Sequence, residues 1–124
     1  MSTHARIGYH NPTTNKIHSV YLQNDGGDAG EILKEYYNNP PRIMELLSFG
    51  NMSVLHKNIH PCTLEHSFKN REEGICLFYG RDRGEENQNA SITSRWDDPQ
   101  EYNYLYKNGA WHVRANDKKT WRKF

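Results

Sequence analysis

Asn108-Gly109 sits between two runs that alternate in side-chain character, Glu101–Lys107 and Trp111–Arg114. Both residues of this dipeptide tolerate the positive φ angles of a type I′ turn, so the segment reads as a tight β-hairpin. It is the strongest constraint on the fold, because a hairpin needs further strands before it is stable. A second hairpin supplies them near the start. Ala5–His10 alternates, Asn11-Pro12-Thr13-Thr14-Asn15 carries turn chemistry, and Ile17–Gln23 alternates again.

Two helices are expected between the hairpins. Asp28 is placed to cap the first, and Ile32, Leu33, Tyr36 and Tyr37 share one of its faces. Asn38-Asn39-Pro40-Pro41 ends it and opens the second, since proline is tolerated in a first turn. Ile43, Met44, Leu46 and Leu47 form the second apolar face, and Gly50 suits the position just past its end. Ile75-Cys76-Leu77-Phe78-Tyr79 is the clearest buried-strand run. The order is β-β-α-α-β-β-β. This predicts an α+β fold, with an antiparallel sheet of about five strands and two helices on one face. Residues 1–124 read as one domain, with 115–124 a basic tail open to three readings: a last strand, a short helix or a flexible end.

Composition limits the core and the function classes. Only 35% of the 124 residues are hydrophobic, the mean hydropathy is −1.03, and eight residues are tyrosine. A core this lean must use aromatic rings with polar tips, and a homo-oligomer is expected to help complete it. The net charge of +1 argues against a dedicated nucleic-acid binder. No apolar run approaches the ~20 residues of a membrane span, and Met1–Tyr9 has no signal-peptide core. Cys62 and Cys76 make no disulfide framework and suit a reducing compartment.

Four groups of residues could carry chemistry. His56, His60, Cys62 and His66 are potential metal ligands within eleven residues, but Pro61 interrupts the spacing and no metal or other cofactor is expected. The glycine-rich bend at Asp25, Gly26 and Gly27 opens a helix, where free amides can hold an anion. Tyr79-Gly80-Arg81-Asp82-Arg83-Gly84-Glu85 is the most unusual string. On an extended chain Arg81 and Arg83 point the same way, suited to phosphate or carboxylate, unless Asp82 or Glu85 pairs with them internally. Tyr102, Tyr104 and Tyr106 share a strand face, as core or as a stacking surface. Catalytic sets are weak, so a binding protein is expected rather than an enzyme.

Several of these strings together resemble a family of small accessory proteins of tailed bacteriophages and prophages. They are Ala5-Arg6-Ile7-Gly8, Glu31–Tyr37 after the Asp25-Gly26 bend, Ser48–Ser53, His66-Ser67-Phe68, Tyr79–Glu85 and Glu101–Tyr106. The chain departs from that pattern at Leu22–Asp28, where relatives carry a Cys-His-Trp-Asp-Gly-Tyr-Pro-like stretch. The resemblance implies a counter-defence role in the host bacterial cytoplasm. The expectation is a protein that sequesters a small anionic nucleotide-type signal, a cyclic nucleotide or ADP-ribose derivative. Its expected ligand contacts are Asp25, Gly26, Gly27, His66, Phe68, Tyr79, Arg81, Arg83 and Trp111. The alternatives are an inhibitor of a host defence protein, such as an anti-CRISPR protein, and a small enzyme acting on nucleotides.

Overall fold

The computed structural model describes residues 3–63 and 65–124. Among the described residues the fold is α+β, with an eight-stranded sheet, three α-helices and a 3-10 turn at Gly26–Asp28. The first hairpin pairs β1 (Ala5–Asn11) with β2 (Lys16–Leu22). The second pairs β6 (Tyr102–Lys107) with β7 (Ala110–Ala115), and Asn108 and Gly109 take φ of 53° and 79° as a type I′ turn requires. Between them lie α1 (Ala29–Tyr36), α2 (Pro40–Ser48), β3 (Met52–Val54), β4 (Leu77–Phe78), α3 (Tyr79–Arg83) and β5 (Ser91–Thr93); β8 (Arg122–Lys123) follows.

The sheet differs from the sequence expectation in being mixed. Its order is β4-β3-β2-β1-β6-β7-β8, with β5 also on β2. β1 runs parallel to β6, and β2 parallel to β3. A two-residue turn fixes the direction of strands within a hairpin, but not how two hairpins dock. The three extra strands have two or three residues each, too short to show a period.

One sheet face carries the helices. Ala5, Ile7, Tyr9, Val20, Leu22, Tyr104, Tyr106 and Trp111 pack there against Leu33, Tyr37, Ile43, Leu46 and Leu47. Three of the rings have their polar tips bonded. Tyr37 Oη donates to His56 O at 2.6 Å, Tyr104 Oη to Gly26 O at 2.7 Å, and Trp111 Nε1 to Tyr37 O at 2.8 Å. Such tips must be satisfied when the aliphatic supply is short. Asn39 caps α2 by accepting from the Arg42 amide at 3.0 Å, whereas Asp28 stands at the α1 cap without a side-chain bond. Gly50 follows α2 at φ 82°, and a β-carbon there would collide with the Gln88 carbonyl. The C-terminal tail is anchored rather than free. β8 pairs with β7, and the Phe124 ring meets Tyr104 edge-on at 6.0 Å.

Candidate ligand-binding cleft

The other sheet face lies away from α1 and α2. It is roofed in part by 91–100, a segment fastened through Arg6. Arg6 is 4% exposed. Its Nε donates to Ser19 Oγ at 3.0 Å, Nη1 to Asp98 Oδ2 at 3.0 Å and Nη2 to Ser91 Oγ at 3.2 Å. The roof places Trp96 directly on Gly8, where a β-carbon would lie 2.7 Å from the indole. Trp96 Nε1 donates to Asn103 Oδ1 at 3.0 Å, and Trp121 meets the Trp96 ring edge-on at 5.0 Å.

A cleft of about 410 Å³ lies beside this roof. Its floor is built by four strands adjacent in the sheet: Ile17 from β2, His10 from β1, Leu105 from β6 and His112 from β7. Trp96 and Trp121 form a wall, and Ser94, Arg95, Lys107, Asn15 and Asn108 complete the lining. His10 is steadied by donating from Nε2 to Asn15 Oδ1 at 2.8 Å. No Asp or Glu is among the lining residues. Two indoles, two histidines and two permanent cations line this cleft, so it offers flat aromatic faces beside positive charge.

The residues singled out in the sequence lie elsewhere, in three places. Arg81 and Arg83 are in a helix, not on an extended chain, so positions two apart face opposite ways. Arg81 turns inward. Nε and Nη2 hold Asp82 at 2.9 and 3.1 Å, Nη1 donates to Ile59 O at 2.6 Å and Nη2 to Cys76 O at 3.0 Å. Its guanidinium also sits over the adjoining Phe49 and Phe78 rings, 5.3 and 4.8 Å from their centroids. Of the two readings of the Arg-Asp-Arg string, internal pairing therefore holds for Arg81. His66 is buried beside it. Its Nδ1 accepts from the Glu72 amide at 3.0 Å, so Nε2 carries the proton donated to Cys76 O at 3.0 Å. With the ring neutral, the 3.7 Å approach of Nε2 to Asp82 is no ion pair.

Arg83 faces outward over Phe68 and Tyr79, at 5.4 and 6.0 Å from their ring centroids. These three do come together, but Glu85 already neutralises Arg83 at 3.3 Å. The third place is split. At the bend, the Gly26 amide donates to Thr3 O at 2.8 Å and the Asp28 amide to Asp25 O at 3.1 Å, while Gly27 lines a hollow beside Tyr102 and Arg122. Trp111 is a core residue, 2% exposed. Among the described residues no group of three or more His, Cys, Asp or Glu side chains could hold a metal. His60 pairs with Glu45 at 3.1 Å, and Cys62 is exposed.

Two buried groups shift for physical reasons but face no cleft. Burial pushes the Cys76 thiol and the Tyr37 phenol upward. Their 3.5 Å contact raises the phenol further and brings the thiol partway back down. No helix among the described residues is long and apolar enough to cross a membrane. Comparison with protein-family models, curated proteins and solved structures finds no match to this chain.

Proposed function

We propose that this chain is a binding protein that sequesters a small, anionic, aromatic ligand of the nucleotide type in the cleft beside Trp96 and Trp121. The lining carries the reading: Arg95 and Lys107 supply fixed positive charge, the indoles supply stacking faces, and no carboxylate opposes an anion. Sequestration needs no reacting group, and the lining presents no nucleophile paired with a base. The resemblance to phage accessory proteins gives the setting. The ligand class is a cyclic nucleotide or ADP-ribose derivative made as a defence signal, captured in the infected host.

The test is titration of the purified protein with cyclic mononucleotides, cyclic dinucleotides and ADP-ribose isomers, followed by tryptophan fluorescence and thermal shift. A ligand at a hundred times its Kd raises stability by about 2.7 kcal/mol, which reads clearly as a Tm increase. An Arg95→Ala, Lys107→Ala variant should fold normally, since both side chains are exposed, and should bind at least tenfold more weakly. Absence of any response across these ligands overturns the proposal, and co-purification of a host protein in its place supports the inhibitor reading.

A further inference from the structure

The whole-chain charge conceals a strong local asymmetry. Residues 107–124 hold six Lys and Arg against one acid, Asp117. Among the described residues none of those six enters an ion pair, whereas Arg6, Arg42, Arg81 and Arg83 all do. Three of them converge on a second cleft of about 280 Å³, separate from the tryptophan cleft. It is lined by Arg114, Lys118 and Arg122 with Thr120 and Tyr102, and again by no carboxylate. Arg114 Nε is buried without a hydrogen-bond partner in the protein. The Tyr102 ring is one of three large hydrophobic side chains left exposed among the described residues, at 36%. An adjoining hollow that shares Tyr102 and Arg122 continues toward Phe124 and the start of α1, where Glu31 bounds the cationic part of the groove.

We propose that this groove binds the phosphodiester backbone of single-stranded nucleic acid, with Tyr102 stacking on a base. Unpaired cations following a groove recruit phosphates by releasing counterions, and an exposed ring beside them accepts any base. A duplex would hide the base faces that Tyr102 is free to meet.

The test is fluorescence anisotropy of a labelled oligothymidylate with the full chain, across a salt series. Binding is expected at low salt, with affinity falling linearly on a log–log plot. Lys118→Ala with Arg122→Ala should reduce that slope by roughly one to one and a half, at about 0.7 for each phosphate no longer neutralised. Tyr102→Ala should weaken binding about tenfold and leave the slope unchanged. Both variants alter exposed side chains. Tripolyphosphate and a duplex of equal length should compete poorly. No binding at low salt, full binding by the double variant, or preference for tripolyphosphate each overturns the proposal. The Arg95→Ala, Lys107→Ala variant marks the other cleft, so failure at one site is distinguishable from failure at the other.

Discussion

Arg81 clasps the carboxylate of its own neighbour, Asp82, through Nε and Nη2. Adjacent residues on a helix do not normally face each other. Here α3 has only five residues, and Asp82 reaches back to accept the Phe78 amide at 2.8 Å. The carboxylate is 3% exposed. Removing it strands a half-buried guanidinium and an amide together. Asp82→Ala should therefore cost about 2–4 kcal/mol, read by urea denaturation. Binding in the tryptophan cleft should persist in whatever fraction folds. A loss below about 1 kcal/mol would show that water rescues Arg81 and that the pair is not what closes this corner.

Gly8 and Trp96 make a second sensitive contact. A methyl at Gly8 meets Trp96 Cζ3 at 2.7 Å, with the His18 carbonyl also close at 3.2 Å. The indole must tilt away. Gly8→Ala should cost about 1–3 kcal/mol as overpacking does. It should also change the near-ultraviolet circular dichroism of the tryptophans and weaken ligand binding. An unaltered tryptophan spectrum would mean that the roof is loose rather than seated on the sheet.

Alkaline pH should unfold the protein through three core groups. Burial raises Cys76 above its ordinary 9.0, Tyr37 well above 10.0, and Tyr104 to about 12. Each prefers its neutral, protonated form in the fold. The unfolded chain releases these protons first, so stability is intact below about pH 9 and declines from there toward about pH 12. Absorbance at the phenolate band should show Tyr37 and Tyr104 ionising only together with the loss of far-ultraviolet circular dichroism. A single smooth titration with the fold intact would contradict the burial of those two hydroxyls.

The hairpins and both main helices are legible in the sequence because their signals are local. Asn108-Gly109 sets a turn by itself, and Asn39 with two prolines sets a helix start. The parallel neighbours β1 and β6 are not legible, since their pairing spans most of the chain and no turn dictates it. α3 escapes sequence reading for a related reason. Phe78-Tyr79 looks like strand, and only the internal demands of Asp82 and the stop at Gly84 (φ 73°) wind the chain into a helix. The tryptophan cleft is hidden because its floor is one residue from each of four strands. Its one local trace is Arg95-Trp96, a pair with no periodicity around it. Averaging charge over the whole chain hides the basic stretch beyond Lys107 in the same way.

Asn103 links the roof to the sheet and offers the most direct control over the cleft. It is fully buried, and its side chain makes four hydrogen bonds. Oδ1 accepts from Trp96 Nε1 at 3.0 Å and from the Gln100 amide at 2.9 Å. Nδ2 donates to Gln100 O at 2.9 Å and to Arg114 O at 3.0 Å. No other residue type presents two acceptor and two donor positions in so short a side chain. Asn103→Ala frees the indole and leaves backbone groups of the 97–100 turn unsatisfied, at a cost of roughly 2–3 kcal/mol. Asn103→Asp retains both acceptors and loses both donors, so it should hold Trp96 better than alanine does while placing a charge beneath the roof. Ligand affinity should then fall in the order wild type, Asp, Ala if Trp96 position governs binding. It should fall in the order wild type, Ala, Asp if the positive potential of the cleft governs it. Measuring both variants against the same ligand separates stacking from charge as the principal source of affinity.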